Sequence, residues 1–225
     1  MHGVVIMIKR YILPLLLMMP LALQAQTDGA AGSVHIIKGI ATATSAEGDI
    51  RRIRKGSDLY SNETISTASG SYARLQLKDK TWIMLRPGSR FYLESVEYEE
   101  ETQEGTGFFS LLKGGFRAVT GLIKDKLNYR YSTTVATIGI RGTDFSARIC
   151  AGDCLDIYPP PEDGLYLEVV DHDVVLTNAS GEFAFQAGQF VFISQRGAVP
   201  KLLDFRPDVF VQSPIPVADP ADCLQ

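Results

Sequence analysis

The sequence predicts an all-β fold of stacked short strands, arranged as a β-roll, a short solenoid or a double sheet. Three observations carry that expectation. Apolar and polar residues alternate over residues 72–86 with the period-2 pattern of half-buried strands. Glycine turns separate short apolar runs at similar spacing in two distant parts of the chain. Helical periodicity is rare after residue 32, so at most a short helix is expected near 116–127.

Taken from the N-terminus, Lys9 and Arg10 precede the apolar run Tyr11 to Leu23, and Ala25 offers a small residue at a cut. This is the pattern of a secretory signal peptide over residues 1–25. The run is interrupted by Pro14 and Pro20 and falls short of the roughly 20 residues that a spanning helix needs. No cysteine follows it for a lipid anchor, and no later stretch is long and apolar. The expectation is therefore a periplasmic protein with no stable membrane anchor. Residues 26–31 read as a short linker, 32–197 as one β domain, and 198–225 as a proline-rich, partly flexible extension.

Within the domain, Gly32 to Gly39 begins a strand with Val34 and Ile36 on one face, and Gly39 to Ala43 continues past a turn. Ala73, Leu75 and Leu77 alternate with Arg74, Gln76 and Lys78; after Asp79-Lys80, Thr81, Ile83 and Leu85 resume the alternation, giving a hairpin. Trp82 and Met84 fall on its outer face, which is either exposed or covered by a second layer. Glu94 to Glu104 holds six glutamates and no basic residue, and reads as a solvated loop or the outer face of a hairpin.

An internal echo supports repetition. Gly39-Ile-Ala-Thr-Ala, Gly48, then Ile53-x-x-Gly56-x-x-Leu59 parallels Asp173-Val-Val-Leu-Thr, Gly181, then Phe185-x-x-Gly188-x-x-Val191. Short strands at such spacing suggest units that bury their faces against one another.

The most distinctive stretch is Ala136 to Phe145. Ile138, Gly139, Ile140, Arg141, Gly142, Thr143, Asp144 and Phe145 read as a strand entering a tight glycine corner. Arg141 and Asp144 are expected to pair there as a structural ion pair, because charges near a core persist only when paired. On that expectation Arg141→Ala lowers stability.

Chemistry is sparse. The 22 basic and 26 acidic residues give a net charge of -4, and loss of Lys9 and Arg10 with the signal peptide makes it -6, which disfavours nucleic-acid binding. Cys150 and Cys154 flank Ala-Gly-Asp and read as a local disulfide in an oxidising compartment; a zinc site is the alternative, needing about two more ligands. Cys223 is left over, either free or available for a dimer cross-link. Asp171-His172-Asp173 reads as a hairpin turn, with a base or metal site as the sharper alternative. Nucleophile elbows, zinc-protease helices and phosphate loops are absent from the sequence. No cofactor is expected, and a hydrolase is the least supported function.

Several motifs together resemble the periplasmic FecR domain. They are Gly56-x-x-Leu59, Ile65-x-Thr67, Ser71-x-Ala73-x-Leu75-x-Leu77-x-Asp79, then Ile83, Leu85, Pro87, Ser89 and Phe91. Leu111-Leu112-x-Gly114-Gly115-Phe116-Arg117 and the Ala136 to Phe145 stretch follow, with Cys150-x-x-x-Cys154 similar to a frequent elaboration. Asp79-Lys80 departs from the family's usual Asp-Gly turn. The resemblance implies an all-β domain used for sensing and protein contact rather than catalysis. In the best-known members it hangs from a membrane helix joined to an anti-sigma segment and contacts the signalling domain of an iron-siderophore transporter. Neither the helix nor that segment is expected here, which suggests a stand-alone module.

Two partner classes follow as expectations. An envelope protein would be met through a sheet edge or the loop near Cys150. A carbohydrate or peptidoglycan ligand would use Trp82, Tyr92 and Tyr98 as an exposed contact surface.

Overall fold

A computed structural model of the chain describes residues 29–125, 128–155 and 157–210. The expected signal peptide, Cys223 and the end of the proline-rich extension lie outside the described residues. Among those described, no helix is long and apolar enough to cross a membrane.

Two nine-stranded sheets face one another, so the double sheet is the observed form of the all-β expectation. The chain feeds them alternately, mostly in pairs of strands. β1 (Gly32–Lys38) lies in the first sheet, β2 (Ala41–Thr44) and β3 (Ile50–Ile53) in the second, and β4 (Asp58–Leu59) returns to the first. β5 (Glu63–Thr67) joins the second sheet; β6 (Tyr72–Leu77) and β7 (Trp82–Leu85) form the expected hairpin in the first. β8 (Arg90–Glu99) and β9 (Glu104–Lys113) make the long hairpin whose tip carries the glutamates. β10 (Gly115–Val119) crosses back, followed by β11 (Tyr129–Ser132) and β12 (Thr137–Ile140) in the second sheet. β13 (Asp144–Cys150) and β14 (Gly164–Asp171) return to the first, β15 (Asp173–Asn178) and β16 (Gly181–Gln186) to the second, and β17 (Phe190–Ile193) and β18 (Lys201–Leu203) complete the first.

Residues 116–119, where a short helix was allowed, are strand. Phe116 and Ala118 are fully buried, and β10 pairs on both sides, with β7 and β13, which leaves an extended backbone as the way to satisfy every amide. The extension also contributes structure: β18 pairs with β17, and a 3-10 helix at Asp208–Phe210 buries Val209 and Phe210 against the disulfide.

The core between the sheets is aromatic at its centre. Tyr131 stacks on Phe109 and Phe116 at 4.8 and 5.3 Å and meets Phe145 edge-on at 5.0 Å. Such offset and edge-on pairs add about 0.5–1.5 kcal/mol each beyond burial. Phe145, the last residue of the distinctive stretch, thus locks the first sheet to the second. Asp79 closes the β6–β7 turn with its carboxylate, accepting the Thr81 amide at 3.0 Å and the Thr81 hydroxyl at 2.6 Å. Lys80 takes the left-handed conformation there, with φ of 68°.

The internal echo is structural, and it extends one strand further back than the sequence shows. β1 to β4 and β14 to β17 follow the same path, at opposite edges of the two sheets. In the first unit the Gly56 amide donates to Val34 O at 2.8 Å and the Val34 amide to Ser57 O at 2.9 Å. In the second, the Gly188 amide donates to Val169 O at 2.8 Å and the Val169 amide to Gln189 O at 3.1 Å. The turn is also braced alike: Ser57 Oγ accepts from the Arg54 amide and Gln189 Oε1 from the Gln186 amide. Gly56 and Gly188 adopt φ of 81° and 83°, where a side chain costs about 1 kcal/mol or more. The two units do not stack on each other as a solenoid would; they cap the ends of the double sheet.

Candidate functional site

The distinctive stretch is the crossing from β12 to β13. Ile138 and Ile140 are buried, Gly142 turns the chain with φ of 82°, and Thr143 pins the corner. Thr143 Oγ1 donates to Asp173 O at 2.7 Å and accepts the Arg141 amide at 3.2 Å, while Thr120 Oγ1 donates to Thr143 O at 2.8 Å. The expected Arg141–Asp144 pair is not formed. Asp144 instead receives Arg117 of β10, Nε at 2.8 Å and Nη2 at 2.6 Å, because strand pairing sets those two side chains side by side. Hydrogen bonding to Asp144 raises the Arg117 pKa further above its ordinary value. Arg141 points to solvent.

The expected aromatic surface is not assembled. Trp82 is only 7% exposed: the Arg74 guanidinium lies 4.7 Å from its ring centroid and His35 meets it edge-on at 4.9 Å. All four residues of β7 are buried, so alternation there does not mean one face in water. Tyr92 and Tyr98 are half-buried and lie in the other sheet, Tyr92 donating to Asn62 Oδ1 at 3.1 Å. These three aromatics form no common platform. His172 occupies an exposed turn with φ of 59°, its Nδ1 3.0 Å from Asp171 Oδ2, as a hairpin corner would have it.

Cys150 and Cys154 are disulfide-bonded, with Cα atoms 5.5 Å apart. Among the described residues no group of three or more His, Cys, Asp or Glu is placed to hold a metal ion. The bridge packs with Ile157, Tyr166, Phe192, Val209 and Phe210 in a small second core on the outer face of the first sheet. The loop beyond it carries Leu155 and Tyr158 outward, 77% and 93% exposed.

Beside this loop, where several crossings between sheets meet, lies a cleft of about 470 Å³. The β5–β6 turn supplies Ser69 and Gly70, with Tyr72 from β6; the β7–β8 turn supplies Arg86, Pro87 and Gly88; the β9–β10 turn supplies Lys113 and Gly114. Arg148 and Ile149 of β13 and Asp153 and Cys154 of the disulfide loop close it. The turns are firmly held: Thr67 Oγ1 donates to Arg86 O, and Ser89 Oγ donates to Gly115 O at 2.8 Å and accepts its amide at 3.0 Å. Burial, and then the neighbouring Arg148 charge, lower the Arg86 pKa to about 10. Asp153 is 3.4 Å from Lys113; burial opposes its ionisation, but the Ala151 amide and Lys113 outweigh this and hold its carboxyl below the usual range. Sequence reasoning found the glycine and proline turns of this cleft and the disulfide, but not Arg86, Lys113, Arg148 or Tyr72. The only sequence signal for them was their placement beside motif turns.

These features define an all-β double-sheet module with a stapled loop and a basic cleft. Residues 63–155, from β5 to the disulfide loop, match the family model described as FecR protein. Two crystal structures described as a "putative anti-sigma factor" from Parabacteroides distasonis ATCC 8503 are similar to this chain, at 14% identity and TM-scores of 0.46 and 0.44. The likeness covers 62% of this chain and 58% of each of those. No curated protein matches.

Proposed function

We propose that the chain is a non-catalytic FecR-type module of the periplasm that makes protein contacts in envelope signalling. The FecR match over residues 63–155 carries this reading, because it spans the double-sheet core and ends in the stapled loop. The contact surface is that loop. Leu155 and Tyr158 project from it, and large apolar side chains so exposed on an anchored loop suit the buried centre of a protein interface. The bridge, together with Val209 and Phe210, holds the loop's base, which lowers the ordering cost of binding. The β16 edge, six residues long and the longest edge strand among the described residues, is a secondary surface for strand addition.

Osmotic-shock fractionation should release the chain with periplasmic markers. Capture from envelope extract should retain a discrete protein that is lost when Leu155 and Tyr158 are both changed to Ser, with an unchanged melting temperature. Equal capture by the two forms, or retention of the chain in the cytosol, contradicts the proposal.

A further inference from the structure

The cleft has a charge pattern that protein contact at the loop does not use. Within a chain of net charge -4, three cations, Arg86, Lys113 and Arg148, surround a space of about 470 Å³ and face a single carboxylate, Asp153. That volume lies in the range of small-molecule sites. Arg86 is half-buried, and among the described residues no carboxylate lies within ion-pair distance of it. Glu168, which favours its charge from a distance, is committed to Arg206.

Strand pairing brings two of the cations into one row. The Arg86 amide, just past the end of β7, donates to Gly115 O at 2.9 Å, and Gly115 of β10 is paired with Arg148 of β13, so the three residues form one row. Gly115 leaves the middle of that row without a side chain. A Cβ built there would lie 3.1 Å from both Cβ and Cγ of Arg148, so the stem of Arg148 leans over the glycine. Arg148 also donates to Val209 O at 3.0 Å, which fixes its position. Tyr72, Pro87 and Ile149 give the cleft apolar walls beside this charge. A half-buried guanidinium with no carboxylate at ion-pair distance among the described residues is costly until an anion reaches it, and a planar or tetrahedral oxyanion matches the donors of Arg86.

We propose that this cleft binds a small carboxylate- or phosphate-bearing molecule, with the anionic group on Arg86, the Lys113 ammonium at the rim and the apolar body against Tyr72 and Ile149. This goes beyond the protein-contact reading and does not depend on it.

The test is a titration of the purified full chain, followed by the arginine side-chain NMR resonances, with inorganic phosphate, succinate and the neutral succinamide as probes. Saturable shifts at Arg86 with phosphate or succinate, and none with succinamide, are expected; which anion binds tighter decides the ligand class. Arg86→Gln should weaken binding at least about tenfold, the scale of a lost charge-assisted contact. If that variant does not fold, Lys113→Gln at the rim replaces it and should weaken binding severalfold. No saturable shift with either anion, equal shifts with succinamide, or wild-type affinity in the folded variant overturns the site. Loss of anion binding with envelope capture intact would overturn the cleft alone.

Discussion

Arg117 on β10 and Asp144 on β13 form a two-point ion pair, with Nε–Oδ1 at 2.8 Å and Nη2–Oδ2 at 2.6 Å. It braces the first strand turn after the Arg141–Gly142 corner. Arg117→Ala or Asp144→Ala should cost about 1–2 kcal/mol, since the pair is bidentate but partly exposed. Arg141→Ala should stay within about 0.5 kcal/mol of the parent, as its side chain is exposed. Urea denaturation of the three variants and of the Arg117/Asp144 double variant measures both effects.

Much of this was legible from the residues. The β6–β7 hairpin, the glutamate-bearing β8–β9 hairpin and the Cys150–Cys154 pairing follow from alternation, charge and spacing. The ion-pair partner was not, because Arg117 is 27 residues from Asp144 and meets it only through strand register. Trp82 was misread for a related reason: alternation assigns faces, but His35 and Arg74 cover the face that alternation left outside. The basic cleft was invisible for the same cause, its cations coming from three separate segments. The repeat was visible only in its glycine turns; β1 and β14 share a hydrogen-bond pattern but little sequence.

The Tyr131 hydroxyl is fully buried and meets no hydrogen-bond partner among the described residues. Tyr131→Phe keeps the ring stack and removes an unsatisfied group, so stability should be unchanged or up to about 1 kcal/mol higher. Tyr131→Ala should lose about 3–5 kcal/mol through the cavity. A fall in melting temperature for the phenylalanine variant would contradict this placement.

Burial, followed by the nearby Asp79 charge, holds the Tyr129 and Tyr131 phenols above their ordinary pKa. Unfolded tyrosines release protons near pH ~10 while these two keep theirs. The folded state therefore binds more protons above that pH, and stability should fall as pH rises past it. Phenolate absorbance should show these two ionising only with unfolding.

Lys80 pays for its left-handed turn, where the resemblance leads one to expect glycine. Lys80→Gly should raise stability by about 0.5–1 kcal/mol, the strain relieved less the entropy added to the unfolded chain. Chemical denaturation checks the sign.

Asp153 ties the stapled loop to Lys113, and its folded pKa lies below the ordinary value. Its contribution is thus present above the unfolded carboxylate range near pH ~4 and is lost as pH falls through the folded pKa. Asp153→Asn should cost below about 1 kcal/mol at neutral pH, since the pair is solvent-screened. The difference from the parent should vanish in acid.

The most direct test of the contact role is site-specific photocrosslinking in intact cells from a probe at Tyr158, with a probe at Ile50 on the far edge strand as control. A discrete protein adduct from position 158 and none from position 50 is the predicted result. No adduct from 158, or the same adducts from both positions, would contradict a signalling contact made through the stapled loop.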